Sequence, residues 1–258
     1  MMSYLNRTFF LWLAAIIVAL MIVNPRKALF QRINTMNSAA VDCMRQWNCN
    51  DARLITEARE YYQILDELYP AYGRGSEMEG MCYLLLKQDH MAVKKFRQAV
   101  RHNPDLFWVS FELGKALYRE RKFSQALKYF QSINAQDNNA LFKEAALSSL
   151  RRLPDQTRGA LMLELIDFVR EIKFRSFQLS IGCLLHQGDL AQAKTMISQG
   201  SSNSQFGKDE FFLLADSSME QEASRKAMLS WVDSLSTGRP IFHPWIQFIP
   251  PLKELWYQ

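Results

Sequence analysis

Through the middle of the chain the apolar positions return every three or four residues, the period of a helix with one buried face. Ala92, Phe96, Ala99 and Val100 lie at i, i+4, i+7 and i+8. Ala126, Phe130 and Ile133 repeat that spacing, as do Ala58, Tyr62 and Leu65. A second set of helices is predicted before each of these, one of them through Phe111, Leu113, Gly114 and Leu117. Pro70 and Pro104 close two of the later helices, because proline cannot continue the backbone ladder. The pattern predicts helical hairpins and no strands.

The hairpins recur with a period of 34 residues. Gly80 returns as Gly114, Ala58 as Ala92, Ala126 and Ala160, Tyr62 as Phe96 and Phe130, and Pro70 as Pro104. One register gives three units, 39–72, 73–106 and 107–140. Small residues let paired helices approach, and the aromatic fills the space beside them. A single hairpin cannot bury its apolar face alone, so units of this kind stack.

These residues resemble the tetratricopeptide repeat (TPR) family, whose pattern has Gly at repeat position 8, a large residue at 11, Ala at 20, an aromatic at 24, Ala at 27 and Pro at 32. Unit 73–106 carries Gly80, Tyr83, Ala92, Phe96, Ala99 and Pro104 in that pattern. Unit 107–140 carries Leu113, Gly114, Ala126 and Phe130, with Ile133 and Asn138 in place of the later Ala and Pro. Unit 39–72 keeps Ala58, Tyr62 and Pro70. The resemblance implies an all-α fold: a TPR-type α-solenoid, a right-handed superhelix of helix hairpins, which the N-terminal apolar run is expected to precede with one N-terminal transmembrane helix.

Residues 141–237 read as degenerate helical repeats and a cap. Pro154 separates two helices, Gly188-Asp189-Leu190 makes an internal turn, Ala193 and Ile197 form a packing pair, and Glu222 to Leu235 is a closing helix. Residues 238–258 are a tail rich in proline and aromatics, with Pro240, Pro244, Pro250 and Pro251. It reads as an extended strap on the solenoid, a partner-docking segment, or an interfacial aromatic anchor.

At the other end, Phe9 to Val23 is an unbroken apolar run. Fifteen helical residues cover about 22 Å, short of a hydrocarbon core of about 30 Å. Extending it to Tyr4, with Arg7 snorkelling, makes it long enough. No small-x-small cleavage site follows, so residues 1–24 are expected to be an uncleaved membrane anchor, with 25–38 juxtamembrane. The protein is then single-pass, of a bacterial inner-membrane type. Arg26, Lys27 and Arg32 against Arg7 and the amino terminus tilt the soluble part weakly towards the cytoplasm over the periplasm.

Composition changes this picture little. Charged residues are 22% of the 258 and mean hydropathy is −0.18, so the remainder is not a set of further spans. The net charge of +5 is a weak bias. No phosphate loop, zinc-protease, C-x-x-C or G-x-S-x-G motif is present in the sequence. His90, His102, His186 and His243 are scattered, without ligand spacing. Cys82 and Cys183 fit buried helix positions, while Cys43 and Cys49 pair as a disulfide or stay reduced according to compartment. Lys94, Lys95, Arg97 and Arg101 read as a solvated outer face. The expectation is no enzyme, no cofactor, no metal, no nucleic acid and no small-molecule substrate.

In repeats of the resembling family, positions 2, 5, 9 and 12 of the first helix line a concave groove. Carried over, the groove is lined by Trp47, Glu77, Met81, Leu84, Trp108, Phe111, Lys115 and Tyr118. A carboxylate clamp would need Lys and Asn where this chain has Cys43, Glu77 and Phe111, then Trp47, Met81 and Lys115, so that clamp is absent. An aromatic and methionine lining suits an apolar or amphipathic segment of a partner protein. It equally suits burial under the chain's own tail or a neighbouring helix. The resemblance implies a membrane-anchored scaffold or adaptor that supports assembly or regulation of a membrane or envelope complex. The alternative is a permanent structural subunit of such a complex.

Overall fold

The computed structural model describes residues 51–68, 74–149, 155–201, 211, 215, 219–238 and 240–241. The proposed anchor 1–24, the juxtamembrane segment 25–38, Trp47, Cys43, Cys49, Pro70, Pro154 and the tail from 242 onward lie outside them. Among the described residues every regular element is a helix: α1 Ala52–Leu68, α2 Arg74–Leu85, α3 Asp89–His102, α4 Phe107–Arg119, α5 Phe123–Asn134, α6 Asn138–Ser149, α7 Asp155–His186, α8 Leu190–Ser201 and α9 Glu222–Thr237. No helix among them is long and apolar enough to cross a membrane.

The 34-residue recurrence is physical as well as statistical. Gly80 of α2 lies against the Phe96 ring of α3, and Gly114 of α4 lies against the Phe130 ring of α5. A Cβ at Gly114 would sit 2.7 Å from Phe130 Cε1, and one at Gly80 would sit 2.5 Å from Phe96 Cε1. Both rings are fully buried and have nowhere to retreat. Gly114→Ala is therefore expected to destabilise by about 1–3 kcal/mol through overpacking, despite alanine's better helix propensity. Urea unfolding of the full chain checks this, and a stability equal to or above that of the unsubstituted chain would refute the close-approach reading.

The hairpin turns repeat as well. Lys87 and Arg121, one period apart, both adopt a positive φ of 58°. The Lys87 N–H donates to Leu84 O and the Gln88 N–H to Tyr83 O, at 3.1 and 2.8 Å. One period later the Arg121 N–H donates to Tyr118 O and the Lys122 N–H to Leu117 O, both at 2.9 Å. This is a Schellman closure, and it returns at Gly188 (φ 75°), whose N–H meets Leu185 O while that of Asp189 meets Leu184 O. The internal turn expected at Gly188 is present.

Helices α1 to α5 pack each on the next. After α5 the order changes, because α7 packs beside α5 and α6 packs on α7. One continuous 32-residue helix, α7, fills the whole stretch from Asp155 to the turn at Gly188. The reason is local. Where Pro104 ends α3, the residue two periods on is Ile172, and no proline stands between it and His186. The closing helix α9 then returns against α7 and α4.

Two polar networks pin the first helices. Ser76 Oγ donates to Asp66 Oδ1 (2.7 Å), and Gln98 Nε2 donates to Asp66 Oδ2 (2.9 Å), tying α1, α2 and α3. Lys95 Nζ donates to Glu79 Oε1 at 2.7 Å. Of the stretch expected to be a solvated outer face, Lys94, Arg97 and Arg101 are exposed, while Lys95 turns inward to this pair. Cys82 and Cys183 are buried free thiols, and burial pushes Cys82 up to about 12, which suppresses thiolate chemistry there.

Candidate binding face on the fourth helix

Helix α4 is the centre of the molecule. Every residue from Phe107 to Tyr118 is buried, although the helix carries Glu112, Lys115 and Ser110. A helix buried on all sides must have each polar group satisfied by a neighbour. Its first turn is held by Glu144 of α6, whose Oε1 accepts the Phe107 N–H at 3.0 Å. A carboxylate at a helix N-terminus meets orphan N–H groups and the positive end of the dipole.

Burial nonetheless pushes the Glu144 carboxyl up to about 7, against the pull of the Phe107 N–H, with Asp105 adding a smaller push in the same direction. The folded chain thus keeps a proton that the unfolded chain releases near the ordinary value of 4.5. Its contribution to stability is complete below that value and is lost as pH rises to about 7. Melting temperature is expected to fall across this window, and Glu144→Gln should flatten that part of the profile. An unchanged profile in the variant would show that Glu144 does not carry the effect.

The expected groove residues divide between α2 and α4. Trp108 Nε1 donates to Glu77 Oε1 at 2.8 Å and so joins the two helices. Phe111 lies against Phe130, ring centroids 5.9 Å apart, so it faces α5 inside its own hairpin. Lys115 Nζ pairs with Glu112 at 3.0 Å and sits 5.6 Å from the centre of the Phe111 ring. Tyr118 Oη donates to Asp233 of α9 at 2.7 Å. Met81 and Leu84 are buried beside them in α2.

None of the seven described groove residues, Glu77, Met81, Leu84, Trp108, Phe111, Lys115 and Tyr118, is open to solvent. The expectation of an exposed groove built from them is therefore corrected. The chain buries them with its own residues, the second of the two readings the spacing allowed.

Trp108 is covered by Phe168 of α7 and Phe111 by Phe130 of α5, while around Tyr118 the cover comes from the C-terminal end. Arg119 Nε donates to the Ser236 carbonyl at 2.6 Å and Nη2 to the Gly238 carbonyl at 3.1 Å, while Nη1 holds Asp89 at 2.9 Å. Glu112 Oε1 accepts the Ile241 N–H at 2.7 Å. Pro240 is buried and Ile241 packs on the core. Asp233 also accepts from His186 of α7, at 2.8 Å, and the His186 ring stacks on Phe123 at 4.2 Å and 8°. Val232 fits the gap left by Gly182, where a Cβ would meet it at 2.5 Å.

The spacing argument missed Glu112, Arg119 and Asp233. A signal existed for two of them, since Glu112, Lys115 and Arg119 lie at i, i+3 and i+7 on one stripe of an otherwise apolar helix. Compared with protein-family models, curated proteins and solved structures, the chain matches none.

Proposed function

We propose that this chain is a membrane-anchored TPR-type α-solenoid that acts as a scaffold or adaptor. It holds a segment of a partner protein and supports assembly or regulation of a membrane or envelope complex. The observation that carries the reading is the repeated hairpin: glycine against aromatic at Gly80–Phe96 and Gly114–Phe130, with the same turn closure at Lys87 and Arg121. Units built this way present a side chain face across neighbouring helices, which suits recognition of an extended or amphipathic segment. The apolar run Phe9–Val23 supports the anchor and a single-pass membrane location. Partner contact at the α2–α4 face requires the chain's own cover to leave it, since Trp108 and Tyr118 are buried there.

A second reading, the permanent subunit of a larger complex, draws on one specific observation. Met162, Leu163 and Ile166 stand exposed together on α7, Leu163 by 68%. An apolar cluster of this kind on a helix marks a surface that another protein covers.

In-cell photo-crosslinking tests both readings, with p-azidophenylalanine at Tyr118, Leu163 or Lys94. A discrete adduct to another protein from Tyr118, absent at Lys94, is the adaptor result. An adduct from Leu163 alone moves the assignment to the permanent subunit. Adducts from Lys94 alone would overturn both.

A further inference from the structure

Helix α9 is held on the rest of the chain along a single stripe. Of its sixteen residues, Met228, Val232 and Ser236, at i, i+4 and i+8, are buried. Leu229 and Leu235 lie at the margin of the core. Glu222, Lys226, Ser230 and Ser234 face solvent, and Trp231 is 39% exposed. Helix α4, by contrast, is buried all round from Phe107 to Tyr118. An amphipathic helix seated by anchors one turn apart is how a helical ligand lies in a receptor groove.

The groove is built by α7 and α4, on which α9 packs. Gly182 of α7 opens a slot for Val232: a Cβ on Gly182 would lie 2.5 Å from Val232 Cγ1 and 2.6 Å from Tyr118 Oη. Donors stand around this slot. Tyr118 Oη and His186 Nε2 both reach Asp233 Oδ1, at 2.7 and 2.8 Å. A carboxylate can only accept, so the imidazole proton of that contact lies on Nε2. Arg119 donates from Nε to the Ser236 carbonyl and from Nη2 to the Gly238 carbonyl, at 2.6 and 3.1 Å. Its third nitrogen is fixed by Asp89 at 2.9 Å. The two carbonyls close the C-terminus of α9, where orphan acceptors and the negative end of the helix dipole lie. Tyr118, Arg119 and His186 thus present donors, and α9 presents them with acceptors, so shape and charge match together.

We propose that the α4–α7 groove is a receptor site for an amphipathic helix of a partner protein, occupied in cis by α9 until such a helix displaces it. This rests on the adaptor reading and adds the class of its partner and its control. The partner helix carries two apolar residues and a small one at i, i+4 and i+8. An Asp or Glu directly follows the second apolar residue, and the helix ends on Arg119. A competitor in the same chain lowers the apparent affinity for the partner by the fraction of molecules whose groove is free.

The test uses the purified full-length chain and a fluorescein-labelled synthetic peptide of residues 220–238, with binding read by anisotropy. Val232→Glu in the chain sets a carboxylate at the Gly182 slot and loosens α9, while changing no side chain of α4 or α7. The peptide is expected to bind this variant about tenfold more tightly than the unsubstituted chain, the gain when roughly one unsubstituted chain in ten is open. The peptide carrying the same substitution should bind neither chain. Equal or absent binding to the two chains would overturn the proposal, as would a gain that the substituted peptide shares. Should Val232→Glu lose helicity by circular dichroism, Asp233→Ala serves instead, because it releases Tyr118 and His186 and leaves the apolar stripe in place. Sedimentation tests a second copy as occupant. A dimer of the unsubstituted chain that Val232→Glu makes monomeric would mean exchange of α9 between copies and would overturn the partner helix. The two readings fail separately. A peptide gain with Tyr118 crosslinks confined to the chain would keep the helix-binding groove and remove the adaptor. A Tyr118 adduct to another protein without a peptide gain would do the reverse.

Discussion

Replacing Glu112 by alanine is expected to destabilise the fold by about 3–5 kcal/mol, the cost of stripping a buried ion from its partner. Both Lys115 and Glu112 are fully buried, and their 3.0 Å pairing is what makes a lysine tolerable in the centre of α4. Burial pushes the Lys115 ammonium down, and Glu112 is the largest influence opposing that. The net direction is already down with Glu112 present, and removing Glu112 strengthens it. The variant's folded state then sheds a proton that the unfolded chain holds until about its ordinary 10.5, so the variant should recover stability as pH rises towards that value. Converting both residues to methionine should cost far less than the single change, since apolar replacement of a whole buried pair is often neutral. Urea unfolding of Glu112→Met, Lys115→Met and the double variant gives the coupling directly. A Glu112→Ala penalty under about 1 kcal/mol would mean that water reaches Lys115, and that the site is not dry.

Trp108→Ala is expected to cost a similar amount, about 3–5 kcal/mol, from cavity formation. The indole is fully buried and meets Phe107 edge to face at 5.3 Å and Phe168 of α7 at 6.2 Å. It also supplies the donor to Glu77, so the truncation weakens the α2–α4 seam and the α4–α7 contact together. Trp108→Phe separates these effects, because it keeps much of the ring and deletes the N–H, for an expected cost of about 1–3 kcal/mol. Thermal and urea unfolding should rank alanine well below phenylalanine. Equal costs would place the whole contribution in the hydrogen bond to Glu77 and none in packing.

What could be read from the sequence was whatever is set within one hairpin. Gly80 with Phe96 and Gly114 with Phe130 are sixteen residues apart, and their spacing is dictated by the hairpin itself. The Gly188 turn was equally local. The continuous α7 was legible only as an absence, since Ile172 stands where a breaker would be needed. A further signal lay in Gly182, two periods after Gly114, but the side chains that fill its space belong to α4 and α9 and not to its own hairpin.

The α4 face marks where this kind of reading stops. Helical periodicity says which side chains share a face, but every residue from Phe107 to Tyr118 is buried, whatever its side of the helix. It does not say what covers them. Here the cover reaches Tyr118, Arg119 and Glu112 from residues 115 to 129 positions later in the chain. Such distant pairings leave no trace in a window of a dozen residues. The polar stripe at 112, 115 and 119 was the one available hint that an apolar helix had backbone to hold.

The return of α9 onto α4 also sets the order in which the molecule can be completed. Chains of stacked hairpins are able to fold progressively as they leave the ribosome, each unit settling on the last. Here α1 to α5 emerge early, but α4 enters that stack with Glu112, Lys115 and Arg119 still uncovered. Arg119 meets its partners only once Ser236 and Gly238 have been made, and Glu112 only after Ile241, more than a hundred residues later. Until then the middle of the stack is a half-built interior, open to water and to chaperones. A ribosome stalled before residue 241 would hold a nascent chain whose central helix is less protected from proteases than that of the finished protein.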